Sequence, residues 1–383
     1  MRIAYCTNVR LPTERAHGHQ VARVCDALLT LGHTVEIFAP FRRNPIQSDF
    51  WTFHKANRKV KLTYLGKKDP INTWFLPKFL QLFFLNLQFR SLLRRALAQG
   101  AFDLLYTRSP AILPTLLGLH LPTVLELHTL PKKRKAHFAK LCNRCKVVAS
   151  LTSPMRQELL SSGVREDKVI LEHDAVDLAA FRMNGEGKLQ KSLHLPLDTL
   201  FIGYAGQLTS MGLSKGIPEL LDAFHILHAR RRRLHLLIVG PASPDLALMH
   251  RIRHTEGVTY CGYVRHEKIP ALLSDCTVLV YPAPASKHSF YQRDTSPLKV
   301  FEYMAAGKPI VAANLLPLRD ILNEDIAYLA IPGDAQDLAR RIAEALENPL
   351  EAQAKATRAS EAVKHHTWEK RMGRIMERAA SHS

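Results

Sequence analysis

Ser296–Val311, SPLKVFEYMAAGKPIV, packs more local structure than any other stretch of this 383-residue chain. Pro297 opens a turn, Leu298 and Lys299 begin a helix, Glu302 lies within it, and Gly307 stops it. Ile310–Val311 then starts an apolar strand. A helix start that follows a loop presents backbone amides without partners, and such a place can hold a phosphate. A further carboxylate, Asp294, stands eight positions before Glu302.

On either side of this stretch, strand and helix patterns alternate. Arg2–Cys6 reads as a buried strand, Thr7–His19 as a loop with Pro12 and Gly18, Gln20–Leu31 as a helix closed by Gly32, and Thr34–Ala39 as the next strand. Further strands are expected at Val60–Leu65, Leu104–Thr107, Thr123–Leu127, Val147–Leu151 and Val169–Leu171. Asn184–Leu197, NGEGKLQKSLHLPL, is polar with Gly and Pro and reads as a linker. The pattern then restarts. Leu200–Tyr204, Leu234–Val239, Val258–Tyr260 and Thr277–Tyr281 read as strands, and Ile217–Arg230, Glu267–Leu273 and Asp334–Glu347 as helices. Alternation of this kind predicts α/β halves, each a mostly parallel sheet with helices on both faces. The expected division is 1–183, a linker at 184–197, a second domain at 198–365, and a terminal helix at 366–383 carrying Trp368, Met372, Ile375 and Met376. In such sheets ligands bind beyond the carboxyl ends of the strands.

Composition narrows the class. The chain is long enough for two domains, and 46% hydrophobic content is ordinary for a globular protein. Six scattered Cys make no disulfide framework, which points to a reducing compartment. The start, MRIAYCTNVRLP, shows no apolar leader, and no apolar run approaches the roughly 20 residues of a spanning helix. A cytoplasmic protein is expected. The net charge of +19 favours anionic partners. It is concentrated in Trp51–Gly100 (ten Lys/Arg against Asp69), in a block from Lys132 to Lys146, and in Arg230–Arg233. These runs lack interleaved stacking aromatics and match no nucleic-acid module, so nucleic acid is a poor candidate. Residues 72–95, NTWFLPKFLQLFFLNLQFRSLLRR, are the exception: Leu76, Phe79, Leu80, Phe83, Phe84 and Leu87 recur at helical spacing, and Arg90, Arg94 and Arg95 follow. This segment reads either as a core helix or as one suited to an anionic membrane surface. Cys142-x2-Cys145 lacks a second ligand pair, there is no Asp-x-Asp, and no GxxxxGK[ST] occurs. No metal site and no P-loop are expected.

Several stretches together resemble the retaining family 4 glycosyltransferases of the GT-B fold. They are AHGHQVARVCDALLTLGHTVEIF, VLELHTL, SLTSPMRQELLSSGVREDKVILEHDAVDLAAF, YAGQLTSMGLSKG, and the spacing Asp294-x7-Glu302. The resemblance spans nearly the whole chain. It implies two Rossmann-like domains facing across a cleft and a nucleoside-diphosphate-sugar donor as co-substrate, with no further cofactor. It also implies transfer with retention to an acceptor such as a glycan, in work such as cell-envelope polysaccharide synthesis. A lipid-linked acceptor, and a first domain peripheral at the inner face of a membrane, would fit the reading of residues 72–95 as a surface helix.

The same resemblance implies roles for particular residues. Lys215, on a Gly-flanked loop, would meet the charge that grows on the departing diphosphate. Gly206 and Ser214 would add contacts there. Gln207 stands where the family has an Arg, and Arg293 and Lys299 are the cations that could replace it. After Pro297, the amides of Leu298 and Lys299 would face the phosphates. Glu302 would accept both ribose hydroxyls, and Asp294, one methylene shorter than the usual Glu, would hold sugar hydroxyls. His128, just after a strand, would lie beside the sugar, and Gly18 would sit at the first glycine turn. Gly240-Pro241 and Gly262-Tyr263-Val264 would face the base. The catalytic set is thus His128, Lys215 and Asp294. The alternatives are a basic nucleic-acid-binding or donor-binding protein without strong transferase activity, and a nucleotide-sugar epimerase of the same fold.

Overall fold

The computed structural model of the chain describes residues 1–14, 16–67, 69, 77–181, 188–210 and 212–381. It forms two compact units, Met1–His173 with Trp368–Ser383, and Asp174–Thr367.

The first unit is built on seven strands: β1 (Arg2–Cys6), β2 (Thr34–Pro40), β3 (Lys61–Leu65), β4 (Leu104–Thr107), β5 (Thr123–Leu127), β6 (Val147–Ser150) and β7 (Val169–Leu171). Their order is β3-β2-β1-β4-β5-β6-β7, and every pairing is parallel. β4, β5 and β6 are buried along their whole length, as expected of mostly apolar strands in a parallel sheet covered on both faces; Glu126 in β5 is the buried charge among them. The first helix, Ala16–Thr30, starts four residues before the expected Gln20 and takes in Gly18. Gly18 is therefore a helix residue, not part of a glycine turn. A Cβ there would fall 2.6 Å from the His54 ring, so its smallness lets two elements approach.

Lys78–Ala98 is the long helix of this unit; residues 72–76 of the expected segment lie outside the described residues. Leu85, Phe89, Leu93 and Leu97 form its buried stripe. That stripe is not the face expected from the sequence. Phe83, Phe84 and Leu87 are 59%, 45% and 56% exposed, and Arg94 and Arg95 are exposed beside them. Among the described residues, no helix is long and apolar enough to cross a membrane. Cys142 and Cys145 are buried in an apolar cluster with Leu113, Leu125 and Phe138.

The terminal helix, Trp368–Ala380, belongs to this same unit. Its fully buried Arg371 donates to Glu126 Oε2 at 2.9 Å and to the His173 carbonyl at 2.6 Å. Arg374 grips both oxygens of Glu172 at 2.8 Å.

The second unit holds β8 (Leu200–Ala205), the hairpin strands β9 (Thr209–Ser210) and β10 (Leu213–Ser214), β11 (Leu234–Val239), β12 (Val258–Tyr260), β13 (Val278–Tyr281), β14 (Ile310–Ala313) and β15 (Tyr328–Ala330). The main sheet runs β12-β11-β8-β13-β14-β15, all parallel. Chain order reverses at β8, so the loops after β8 and β13 leave a topological switch point on adjacent strands.

The expected linker at 184–197 is corrected here; its residues 184–187 lie outside the described ones. Lys188–Ser192 is a helix. Buried Leu189 donates its N–H to Asp275 Oδ2 at 3.1 Å, and Leu193 and Leu195 pack on the unit's core. Three leucines with a core to cover make this segment part of the second unit. The division falls at His173/Asp174 instead of 183.

Candidate active site

The loop after β8 is shaped by two glycines. Gly206 has φ +145°, and a Cβ there would lie 2.4 Å from Lys299 Nζ. Gly216 has φ +80° and starts the helix Ile217–His228; a Cβ there would lie 2.5 Å from the backbone nitrogen of Ala283, just past β13. A side chain at Gly216 would push apart the two loops of the switch point, and one at Gly206 would displace the Lys299 ammonium. Gly240, at the end of β11, packs against Gly206: its Cβ would lie 1.9 Å from the Gly206 carbonyl oxygen.

Two lysines meet in this setting. Lys299 Nζ donates to Tyr204 Oη at 2.7 Å and lies 4.2 Å from the Tyr204 ring centroid and 5.5 Å from that of Tyr281. The Tyr204 hydroxyl donates in turn to the Gln207 carbonyl at 2.6 Å. Lys215 Nζ sits 3.7 Å over the Phe290 ring. Burial lowers Lys215 from 10.5 to about 8. Burial, then the neighbouring Lys215 charge, lowers Lys299 from 10.5 to about 7, against the pull of Glu302. Among the described residues neither lysine forms an ion pair. Two enclosed cations that repel each other, neither held in an ion pair, suit an anion.

The helix Leu298–Ala305 adds to the same place. Its N-cap, Pro297, makes no side-chain cap, so its first-turn amides lack that partner. Glu302, one turn in, is 13% exposed and accepts from His266 Nε2 at 2.7 Å. His266 lies on the short 3-10 turn His266–Lys268 that follows Gly262-Tyr263-Val264. Tyr263 is exposed and Val264 packs on the core. Gly240 donates its N–H to the Gly262 carbonyl at 2.8 Å, which joins the two turns expected to face a base.

Asp294 ends a single π-helical turn, Phe290–Asp294. It is buried, and Arg293 engages both its oxygens, at 2.5 and 3.0 Å. Arg293 therefore already has a carboxylate partner. Of the two cations that could stand in for the charge missing at Gln207, Lys299 is the one without an ion pair.

The first unit holds His128 and Gly18. His128, just past β5, lies 2.5 Å by Nε2 from Glu126 Oε1. Glu126 is buried and also meets Arg371, Arg108 Nε at 3.2 Å, and the Tyr106 hydroxyl. Burial raises Glu126, but Arg371, Arg108 and His128 outweigh it and hold the carboxyl well below its usual range.

Lys215, Lys299, Glu302, Gly206, Gln207 and Gly240 are thus neighbours at one sheet end. Sequence reasoning passed over Tyr204, Phe290 and His266. An aromatic closing the strand before Gly206 was a usable signal for Tyr204, whereas His266 was one of 19 His with nothing local to mark it.

Comparison with known proteins agrees with this architecture. Residues 18–180 match the model of Glycosyltransferase Family 4, and residues 199–348 match that of Glycosyl transferases group 1. The O-antigen chain mannosyltransferase B of Escherichia coli is 27% identical over 172 residues, 44% of this chain and 43% of that protein. A phosphatidyl-myo-inositol mannosyltransferase of Propionibacterium freudenreichii is 24% identical over 351 residues, 86% of this chain and 82% of that protein. The structure of Anabaena Alr3699/HepE in complex with UDP and glucose superposes with a TM-score of 0.72 at 16% identity, covering 98% of this chain and 99% of that one. Matched by such models over both of its halves, with two parallel α/β sheets ordered as described, the chain belongs to the glycosyltransferases of the GT-B fold.

Proposed function

We propose that this protein transfers a hexosyl group from a nucleoside-diphosphate sugar to a glycan or lipid-linked acceptor, with retention of anomeric configuration. One observation carries the reading: Lys215 and Lys299 are enclosed together at the switch point of the second sheet, each with its proton affinity lowered by burial and neither ion-paired. A diphosphate supplies the missing anion. As the glycosidic bond to it breaks, negative charge builds on its oxygens, and two ammonium groups with the amides of Leu298 and Lys299 would stabilise that charge without reorganising. Glu302 would take the ribose diol and Asp294, steadied by Arg293, the sugar hydroxyls. His128 would lie beside the sugar. In the same-face route that retention implies, the leaving phosphate takes the acceptor's proton, and the protein mainly positions and stabilises.

The similar proteins support the donor and acceptor classes: one is solved with UDP and glucose, and two are mannosyltransferases, of O-antigen and of phosphatidyl-myo-inositol. We further propose that the first unit works at the cytoplasmic face of a membrane. Exposed Phe83, Phe84 and Leu87 with Arg94 and Arg95 present an apolar face edged by cations, on a chain of net charge +19, which suits an anionic bilayer.

Thermal shift with UDP, GDP and ADP and their sugars, on the wild type and on Lys215→Ala and Glu302→Ala, tests the enzyme reading. One nucleotide class should stabilise the wild type and lose most of its effect in both variants. Silence from every nucleotide, or full transfer activity in both variants, would sink it. Flotation with anionic and with neutral liposomes tests the membrane reading, which fails if Phe83→Ser/Leu87→Ser floats like the wild type.

A further inference from the structure

We propose that His266 is a positioning residue that sets the Glu302 carboxylate for the ribose of the nucleotide, an inference that rests on the functional reading above. The two residues are 36 positions apart, on the turn after β12 and on the helix Leu298–Ala305, and they meet through Nε2–H···Oε1 at 2.7 Å.

Glu302 has another partner within its field. Lys299 lies one turn earlier on the same helix, and the two charges already act on each other. In an enclosed site with a cation nearby, a carboxylate gains by swinging onto it. That swing would turn both oxygens away from the nucleoside and would neutralise a lysine meant for phosphate. Two restraints oppose it. Tyr204 holds the lysine by a hydrogen bond at 2.7 Å, and His266 holds the glutamate. The histidine thereby keeps ribose recognition and phosphate recognition on separate groups. It does so without blocking the carboxylate: two oxygens offer about four acceptor positions. One imidazole N–H fixes the carboxylate plane and leaves acceptor positions for two hydroxyls. His266 is 49% exposed against 13% for Glu302, so the imidazole covers the carboxylate from the solvent side. The other charges on its turn are Arg265, Glu267 and Lys268, and on the facing helix Lys299.

The test is titration calorimetry with UDP, GDP and ADP and with the 2′,3′-dideoxy form of whichever binds, on His266→Ala, His266→Gln, Glu302→Ala and the double variant His266→Ala/Glu302→Ala. We expect His266→Ala to weaken the ribonucleotide about tenfold, the scale of one charge-assisted hydrogen bond. The dideoxy form should lose almost nothing. His266→Gln, which can still donate an N–H, should recover most of the affinity, and His266→Ala should add no loss to Glu302→Ala. Equal losses for the ribo and dideoxy forms, or additive losses in the double variant, would overturn the proposal in favour of a direct base contact. A gain in affinity in His266→Ala would overturn it in favour of a blocking residue. If nucleotides bind and His266→Ala is silent, this inference alone fails; if no nucleotide binds the wild type, it fails with the functional reading.

Discussion

Replacing Lys299 by methionine should make the protein more stable and at the same time remove its grip on the donor. The Lys299 residue keeps some surface exposure. Its ammonium, however, is enclosed by Tyr204, Tyr281 and the Gly206 backbone, and this enclosure sets its proton affinity. The pKa falls from 10.5 to about 7. At about 1.4 kcal/mol per unit, holding Lys299 at about pH 7.5 opposes folding by roughly 4 kcal/mol. Methionine keeps the stem and removes that penalty. The hydrogen bond to Tyr204 goes with it, at a loss of about 1 kcal/mol, which leaves a gain of about 3 kcal/mol. For a unit of this size each kcal/mol moves Tm by roughly 2–4 °C, so Tm should rise by roughly 6–12 °C.

The pH dependence has a definite sign. Between about 7 and 10.5 the unfolded chain carries the proton and the folded one does not, so wild-type stability rises with pH across that window. The advantage of the methionine variant is therefore complete below about pH 7 and gone near 10.5. Calorimetric melting of both proteins at several pH values, without ligand, reads this directly. Calorimetric titration with nucleoside diphosphate should show affinity lower by tenfold or more, as expected for loss of a charge-assisted contact of about 1.5–3 kcal/mol. A variant that melts lower at acid pH, or whose advantage does not shrink as pH rises, would falsify the picture of an enclosed, uncompensated cation.

Three other outcomes follow from the same geometry. Gly206→Ala places a methyl where Lys299 Nζ now sits, 2.4 Å away, on a backbone with φ +145°; nucleotide affinity should fall with a stability loss of only about 1–2 kcal/mol, and an unchanged titration would refute that packing. A bound diphosphate should raise the pKa of both lysines from their values of about 8 and about 7, so binding takes up protons and affinity falls as pH rises past 8; titrations in two buffers of different ionisation enthalpy should report uptake of about one proton near pH 8, and zero uptake would count against the site. Arg371→Met takes one of two arginines from buried Glu126, leaving Arg108 and His128, and removes the donor to the His173 carbonyl; denaturant melts should show a loss of about 2–3 kcal/mol, and a shift below about 1 kcal/mol would deny the terminal helix its anchor.

The sequence alone determined the elements and where their loops leave the sheets. β4, β5, β7, β11 and β12 have the bounds read from the sequence, because short, mostly apolar and β-branched runs bounded by turn residues mark strands locally. The resemblance of YAGQLTSMGLSKG and of Asp294-x7-Glu302 to a family's motifs singled out Lys215 and Glu302, and the proline, turn and glycine of Ser296–Val311 marked the helix start. What it left open depends on residues far apart in the chain. Arg293 and Lys299 were equal as replacement cations until the fold gave Arg293 a carboxylate and left Lys299 beside Tyr204, 95 residues away. The apolar face at residues 79–87 was legible, but the sheet covered Leu85, Phe89, Leu93 and Leu97 instead. His266 reaches Glu302 across 36 residues and Arg371 reaches Glu126 across 245. Local periodicity records which face of an element is apolar. Only the packing of whole units decides which neighbour covers it and which charges are left without a partner.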